Sequence, residues 1–339
     1  MPDPVADTLV AESRAMRATL SAVDRAAAGT GGVLVTGEPG TGRGLVSRLL
    51  HDISGRPGGF VEVAGGTLEP ADADAVLFGR ADARDRANGG AAAANGRLER
   101  IWPGSALHRA MDGTLCLRRI ENLPERVQAK LARLLRDGEC AIGAAPRPYT
   151  HGIRMLAVAE PDVDQHVRDG RVRQDLHKRL STSVITVPPL RERRADIPGL
   201  VTLFARQICE GASLPCKTFT TPADTLLQAL PWWGNGRELQ ALVSAVVLQC
   251  TGETIGLDDV LGQLKLDDAA ARTAAVSANE TLRAARMRFE REYISAVLAQ
   301  HRGRIPDAAK SLGIQRTNLY RKLRSLRLPK DPLQAGRLR

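Results

Sequence analysis

The sequence comprises 339 residues, of which 43% are hydrophobic and 25% charged, and it carries a formal net charge of +10. This composition is ordinary for a globular protein, and the length is enough for two or three domains. No run approaches ~18 consecutive apolar residues, so we do not expect a membrane-spanning helix.

The first residues and the cysteines both point to a cytoplasmic protein. The N-terminal MPDPVADTLV contains no basic segment followed by an apolar core, so we expect no secretory signal. The five cysteines are scattered and lack the paired spacing of metal ligands. They predict buried thiols in a reducing compartment, with neither a disulfide framework nor a metal site.

In chain order, five short apolar runs bounded by glycine or turn residues predict buried strands. They span residues 31–37, 60–64, 113–120, 153–159 and 183–187. Helical patterns at 45–53 and 124–138 fall between them, and such alternation predicts a parallel α/β sheet. Residues 79–112 have weak periodicity and are predicted to be mostly loop.

From Arg191 onward the strands are predicted to stop. Three helical patterns follow and predict a small helical domain. They lie around residues 197–208, 222–229 and 236–250. Residues 265–280 lack a large apolar face and indicate a linker, after which a last unit is predicted over 281–328 and a short tail over 329–339.

The excess positive charge belongs to this last part of the chain. Residues 281–339 contain 15 Lys and Arg against 4 Asp and Glu, whereas the preceding 280 residues have a net charge of −1. A basic tail alone is often a solvated or disordered end. A basic, patterned and helical segment indicates nucleic acid as the partner.

The segment RIPDAAKSLGIQRTNLYRKLRSL has the pattern of a helix-turn-helix. One helix is predicted to begin near Pro306 and to end at a turn on Gly313, and a second begins near Arg316. Leu319, Leu323 and Leu326 form the buried stripe of this second helix. Its other face carries side chains that can contact base edges and phosphates of double-stranded DNA: Arg316, Thr317, Asn318, Tyr320, Arg321 and Arg324.

A solvated helix in a plain three-helix bundle is the alternative interpretation of that segment. The preceding helix, LRAARMRFEREYISAVLAQH, has a wider apolar stripe than one short domain needs. This stripe predicts a homodimer or a higher homo-oligomer, which would offer two recognition helices to a two-fold DNA site.

The loop GEPGTGRG nearly matches the phosphate-loop pattern G-x-x-x-x-G-K-[ST]. Its glycines let backbone N–H groups converge on an anion, and the next helix offers its positive end. Arg43 replaces the lysine, and Gly44 stands where a hydroxyl group could bind Mg²⁺. The candidate nucleotide-binding residues of the loop are Gly37, Gly40, Gly42, Arg43 and Gly44. An ordinary glycine-rich turn between a strand and a helix is the alternative.

Over roughly residues 8–328, the chain resembles the sigma-54-dependent transcriptional regulators, also called bacterial enhancer-binding proteins. The motifs that carry this resemblance are LFG (77–79), VQAKLARLL (127–135), RQDLHKRL (173–180), VPPLRERRADIP (187–198), WGNGREL (233–239) and the Fis-like hairpin LGIQRTNLYRKLRSL. The resemblance implies a P-loop NTPase-like AAA+ α/β subdomain over 8–190 with a parallel sheet, a helical lid over 191–264 and an all-α Fis-type helix-turn-helix domain over 281–328.

It further implies a bacterial, nucleoid-associated protein with RNA polymerase as a candidate partner. Family members normally carry a receiver or sensor domain before this core, whereas the core starts near residue 8 here. We therefore expect the input signal to arrive by another route.

Several catalytic positions of the family are replaced in this sequence. The strand that in the family ends in Asp-Glu, which organises Mg²⁺ and polarises the attacking water, ends here in Arg118 and Arg119. A divalent cation ~6 Å from one arginine is repelled by roughly 5 kcal/mol at an effective dielectric constant of ~20. Glu160 replaces an asparagine that senses the third phosphate. We therefore expect neither bound Mg²⁺ nor efficient ATP hydrolysis, so that the chain is not an enzyme.

Other parts of the family's nucleotide machinery persist. Arg173 and Arg179 match the arginine-finger region, and Arg237 matches the lid arginine that meets bound nucleotide. One interpretation is that the chain binds ATP or ADP without metal, because the arginines at positions 43, 118, 119 and 237 could attract phosphates. The alternative is that these arginines form ordinary ion pairs at domain or subunit contacts.

The loop between Leu77 and Gly113 lacks the GAFTGA motif with which the family contacts sigma-54. The main hypothesis is therefore a DNA-binding transcriptional regulator with a degenerate AAA+ core, acting without sigma-54 remodelling. An ATP-driven sigma-54-dependent activator with atypical motifs and an architectural DNA-binding protein are the two alternatives.

Overall fold

The computed structural model describes residues 9–81, 98–144, 147–264, 294, 304–311 and 316–325. The chain forms two compact units, Met1–Leu264 and Lys265–Arg339. Within the described ranges, no helix is both long enough and apolar enough to cross a membrane.

The first unit is built on a five-stranded parallel sheet. Its strands are β1 (Val33–Thr36), β2 (Phe60–Ala64), β4 (Thr114–Arg118), β7 (Arg154–Ala159) and β8 (Ser183–Thr186). They are arranged in the order β2-β4-β7-β1-β8, and every neighbouring pair is parallel. Each strand lies within one of the predicted apolar runs, and the predicted parallel α/β sheet is confirmed.

Helices cover both faces of this sheet. The helices of this part are α1 (Arg14–Ala27), α2 (Arg43–Ile53), α3 (Ala73–Phe78), α4 (Ala106–Arg109), α5 (Glu125–Asp137), α6 (Val163–Arg168) and α7 (Gln174–Leu180). Because side chains alternate along a strand, Leu115 and Leu117 of β4 face one side and Cys116 faces the other. The leucine side packs against α3, α5 and α7, and the cysteine side packs against α1 and α2.

Helix α5 forms where the amphipathic pattern predicts it. Pro124 precedes the first turn, and Val127, Leu131 and Leu134 are buried against the sheet. The helix ends at Gly138, which has a φ of +67° and donates its N–H to the carbonyl of Leu134. A glycine relieves the steric strain of this left-handed position, so the sequence itself sets the end of the helix.

A second sheet contains three short strands. They are β3 (Arg100–Ile101), β5 (Glu139–Ile142) and β6 (Pro148–Thr150), with β3 parallel and β6 antiparallel to β5. Strand β3 and helix α4 lie in the segment 79–112 that was predicted to be mostly loop, since elements of two and four residues are too short to show periodicity. Residues 82–97 of that segment lie outside the described residues.

The helical region that follows contains α8 (Ile197–Gly211), α9 (Thr221–Ala229), α10 (Asn235–Gln249) and α11, which begins at residue 257. The prediction that strands stop at Arg191 is wrong. Two strands, β9 (Thr218–Phe219) and β10 (Thr254–Ile255), pair in parallel here. Two residues cannot show the alternation by which a strand is recognised in a sequence.

The second unit contains the two predicted helices of the helix-turn-helix, α12 (Ile305–Ser311) and α13 (Arg316–Ser325). Ala309 of α12 and the predicted leucines Leu319 and Leu323 of α13 are buried. The turn at Gly313, Leu326, the linker 265–280 and the tail 329–339 lie outside the described residues.

The five cysteines are free thiols, but they do not share one environment. Cys116, Cys140 and Cys209 are buried, whereas Cys216 is exposed and Cys250 is half-buried. The prediction of buried thiols is therefore wrong for Cys216. This residue follows the end of α8, in a segment whose sequence lacks a periodic apolar pattern, and it lies on the surface. Burial raises the pKa of the Cys116 thiol to about 12 and that of Cys140 to about 11.

Candidate functional site

The predicted phosphate loop connects β1 to α2 at the carboxyl end of the sheet. Gly40 and Gly42 have φ values of +81° and +96°, which other residues rarely adopt. Gly40 also contacts the carbonyl oxygen of Gly234, and the N–H of Gly236 donates to the Gly40 carbonyl at 3.0 Å. The loop therefore lies directly against the start of α10, where a side chain at position 40 would not fit.

An ionic network joins the loop to the helical region. Glu38 accepts hydrogen bonds from the two terminal nitrogens of Arg191, at 2.8 and 2.5 Å, and from the side-chain amide of Asn235 at 3.0 Å. Arg191 also lies over the ring of Trp233, 5.2 Å from its centroid. Hydrogen bonds from Arg191 and Asn235 lower the pKa of Glu38 to about 2, so this carboxylate is charged at neutral pH.

A cavity of about 380 Å³ opens beside the loop. Apolar side chains form part of its lining, among them Leu9, Met16 and Phe204. Charged side chains form another part: Arg43, Arg118, Arg119, Arg193, Arg237, Glu121 and Glu160. A lining that combines apolar and cationic groups suits a ligand that joins a flat ring to anionic groups.

The structure brings most of the candidate nucleotide-binding residues together. The cavity is lined by Gly40, Gly42, Arg43, Gly44 and Arg237, as well as by the three residues that the sequence analysis placed at catalytic positions of the family, Arg118, Arg119 and Glu160. Gly37 lines a neighbouring groove instead. The grouping follows from the parallel sheet, because the carboxyl ends of β1, β4 and β7 meet at one edge.

Arg118 has an acidic partner on the adjacent strand. Its guanidinium contacts the Oε1 of Glu62 at 2.7 Å. Glu62 is opposite Cys116 in the β2–β4 register, so it shares a sheet face with Arg118 two residues farther along. Both side chains are about 40% exposed, and such a pair contributes about 0–1 kcal/mol to stability. Arg118 therefore has an ion pair, which lies within the main sheet and not at a domain or subunit contact.

Arg119 has an unusual backbone conformation. Its φ and ψ are 54° and 56°, the left-handed region that residues with a Cβ seldom occupy. The residue follows the end of β4 and directly precedes the short helical turn Ile120–Asn122. This reversal turns the chain at the edge of the cavity, and residues in such conformations cluster at binding sites.

Arg43 is held by the end of β7. Its Nη1 donates to the Ala159 carbonyl at 2.5 Å. Burial lowers the pKa of Arg43, and Glu160 raises it, while Arg118, Arg237 and Arg119 lower it further. An arginine keeps its charge under such conditions. Its positive charge therefore faces the carbonyl of Ala159 and the carboxylate of Glu160.

The cavity does not fit a magnesium ion. Mg²⁺ prefers carboxylates and hydroxyls in near-octahedral geometry. The loop offers Gly44 at the hydroxyl position, and β4 ends in two arginines where carboxylates would be required. Among the described residues, no group of three or more His, Cys, Asp or Glu could hold a metal ion.

The two predicted arginine-finger residues lie away from the cavity. Arg173 pairs with Asp175 at 3.0 Å and with Glu125 at 3.2 Å. Arg179 lies on α7, and neither arginine lines the cavity. The assignment of Arg173 and Arg179 as arginine-finger residues stays a prediction.

The candidate nucleic-acid interface lies on α13. Arg316, Thr317, Asn318, Tyr320 and Arg321 are exposed, whereas Leu319 and Leu323 are buried. The side chain of the sixth candidate, Arg324, lies outside the described part of the chain. The exposed set combines positive charge with hydrogen-bonding groups at the start of a helix, which is the chemistry of major-groove recognition.

Comparison with known protein families agrees with this architecture. Residues 9–186 match the sigma-54 interaction domain, residues 191–277 match an AAA+ ATPase lid domain, and residues 285–326 match the Fis family of bacterial regulatory proteins. The chain belongs to the sigma-54 interaction domain family. The predicted AAA+ core, helical lid and Fis-type domain are thereby confirmed.

Curated relatives of this sigma-54 interaction domain protein are transcriptional regulators. The regulator NtrC of Azospirillum brasilense is 33% identical over 320 residues, which are 87% of this chain and 64% of the relative. AlgB of Pseudomonas putida is 32% identical over 95% of this chain and 68% of the relative. The chain thus spans about 64% of the length of the NtrC relatives that it matches.

Solved structures of NtrX from Brucella abortus have the same fold. The complexes with ADP and with ATP superpose with TM-scores of 0.63 and 0.62, at 29% sequence identity. Each comparison covers 94% of this chain and 69% of NtrX.

Sequence reasoning missed three features of the sigma-54 interaction domain. Glu62, the partner of Arg118, was visible as a charged residue in the otherwise apolar run FVEVA. The pairing of Glu38 with Arg191 joins residues 153 positions apart, and no sequence signal announces it. Arg193 is buried and donates a hydrogen bond to the Thr41 carbonyl at 2.7 Å, so it stabilises the phosphate loop from the protein interior.

Proposed function

We propose that this chain is a DNA-binding transcriptional regulator whose AAA+ core binds nucleotide without Mg²⁺ and does not hydrolyse it. In this proposal the protein acts without remodelling the sigma-54 polymerase. The observation that carries the proposal is the pair Arg118–Arg119 at the end of β4, in a cavity that otherwise keeps the phosphate loop and Arg237.

The charges in the cavity support binding and oppose turnover. Five arginines and two glutamates line it, so the excess is positive and attracts phosphates. The same excess repels a divalent cation. The family's carboxylates for metal binding and water activation are replaced by arginines, and hydrolysis requires both functions.

An ATPase assay on the purified full chain tests the lack of hydrolysis. With ATP and Mg²⁺ in excess, we expect phosphate release no faster than with heat-denatured protein. Steady turnover that depends on Mg²⁺ would contradict the proposal and favour the ATP-driven activator.

Isothermal titration with ADP tests the metal-free binding. We expect binding in the presence of EDTA, and no gain in affinity when Mg²⁺ replaces EDTA, because the cation shields the phosphates that the arginines attract. An affinity that requires Mg²⁺ would show that the cavity holds the metal after all.

For the DNA interface, genome-wide mapping of bound sites would first supply a specific duplex. Replacing Arg321 with alanine should then cost about 1–3 kcal/mol, or about 5- to 150-fold in affinity for that duplex, and less on random DNA at the same salt concentration. Arg206→Ala, which removes an exposed arginine from α8, is the matched control and should change neither affinity. Equal affinities of the wild type for the two duplexes would favour the architectural protein.

The proposed division of labour can be tested by truncation. Removing residues 281–339 should abolish DNA binding while the first unit stays folded, as judged by its circular dichroism spectrum. DNA binding by the truncated chain would refute the assignment of the interface to α13.

We further propose that the protein acts as a homodimer or a higher homo-oligomer, which light scattering on the full chain would detect.

A further inference from the structure

The arginine of the phosphate loop, Arg43, already has a hydrogen-bond partner within the chain. A phosphate-loop cation normally reaches the second and third phosphates of a nucleotide. Here the Arg43 guanidinium donates to the Ala159 carbonyl at 2.5 Å and is attracted by Glu160, the next residue along. The cation of the loop is thus held at the end of β7.

Several carboxylates lie near the hydrogen bond between Arg43 and Ala159. Glu160 and Glu121 line both the main cavity and an adjoining cavity of about 280 Å³, in which Asp162 adds a third carboxylate. The adjoining cavity also contains Arg119 and Arg171, so its charges largely compensate one another. A third phosphate extending from the loop would therefore approach carboxylates rather than an uncompensated cationic surface.

Few of the cavity's arginines are available to balance added negative charge. Arg118 pairs with Glu62, and Arg193 is buried against the Thr41 carbonyl. Among the described residues, Arg119 and Arg237 line the cavity without an ion pair. Two such arginines, together with the backbone N–H groups of the loop, suit a diphosphate better than a triphosphate.

We propose that this cavity selects nucleoside diphosphates over triphosphates, and that the carboxylate of Glu160 enforces the selection at the position of the third phosphate. The inference rests on the proposed function, namely that the cavity takes nucleotide without metal. Glu160 acts as a specificity determinant through its charge, because it repels the added phosphate and attracts Arg43, which the Ala159 carbonyl already binds.

The expected selectivity is about tenfold. ATP carries about one more negative charge than ADP, and a carboxylate ~6 Å away disfavours that charge about tenfold at an effective dielectric constant of ~40, between those of a protein surface and bulk water.

Isothermal titration of the full chain with ADP and with ATP, in EDTA at one ionic strength, measures the ratio of affinities. The wild type should bind ADP about tenfold more tightly than ATP. Glu160→Gln should tighten ATP binding about tenfold and change ADP binding less than about threefold. Glu160→Asp keeps the charge and should keep the preference, and Glu69→Gln, on an exposed residue outside the cavity, is the control.

Circular dichroism spectra of the variants exclude misfolding as the cause of any change. Equal affinities of the wild type for ADP and ATP would overturn the selectivity alone, as would a ratio that Glu160→Gln leaves unchanged. Failure of both nucleotides to bind would overturn the proposed nucleotide binding and the selectivity with it.

Discussion

Replacing Glu38 with glutamine removes the negative charge that connects the phosphate loop to the helical lid. Glu38 has two hydrogen bonds to Arg191 and one to Asn235, and its pKa falls from an ordinary 4.5 to about 2. This fall corresponds to at most about 3 kcal/mol in favour of the charged carboxylate at neutral pH. Since about 30% of each side chain of the Glu38–Arg191 pair stays exposed, solvent screening reduces the expected loss to about 1–2 kcal/mol.

Urea unfolding followed by tryptophan fluorescence measures this loss. All three tryptophans, Trp102, Trp232 and Trp233, belong to the first unit, so the signal reports that unit in the full chain. The control is Asp72→Asn, which breaks the pair with Arg80, whose two side chains are 60% and 66% exposed. It should change the free energy of unfolding by less than about 0.5 kcal/mol.

The pH dependence gives a second test with a definite sign. The pKa of Glu38 is lower in the folded protein than in the unfolded chain, so its contribution is fully present above pH 4.5 and is lost as the pH falls toward 2. The difference between the wild type and Glu38→Gln should therefore be constant from pH 7 to 5 and shrink below pH 4.5. No difference at pH 7, or a difference that acid leaves unchanged, would refute the reasoning.

Three further outcomes are expected. Gly40→Ala should lower the free energy of unfolding by about 1–3 kcal/mol, because it combines backbone strain with a clash against the lid, whereas Gly42→Ala, which has open space, should cost less. Equal losses for the two variants in urea unfolding would show that the lid contact is unimportant. Leu131→Ala should cost about 2–5 kcal/mol in the same assay, since the side chain is fully buried in the core, and a loss below about 1 kcal/mol would contradict that packing. In a timed reaction of the native protein with a thiol reagent, the exposed Cys216 should react first. Cys116, whose thiol has a pKa of about 12, should react only on unfolding, and early labelling of Cys116 would contradict its burial.

The main elements of this protein could be predicted from its sequence because their signals are local. Apolar runs between glycines mark the five strands of the main sheet, and the buried stripe with Gly138 at its end marks α5. The charge of the last 59 residues and the leucine spacing of α13 likewise mark the candidate DNA interface in the sequence alone. Such signals depend on neighbours within a few residues, which the chain order already supplies.

The candidate nucleotide site illustrates the opposite case. The arginines at positions 118 and 119 were visible in the sequence as departures from a family pattern, but whether they would pair with acids stayed open. That outcome depends on strand order: β2 lies beside β4, which puts Glu62 within reach of Arg118, whereas Arg119 leaves the strand in a left-handed conformation.

The sequence by itself determined which charges this protein carries and on which strands, helices and loops they lie. Only the tertiary structure decided which of those charges meet. Glu38 finds Arg191 across 153 residues, and Arg43 turns to the end of β7 beside Glu160. The reason is physical: electrostatic interactions depend on distances of a few ångströms in space, and separation along the chain does not determine those distances.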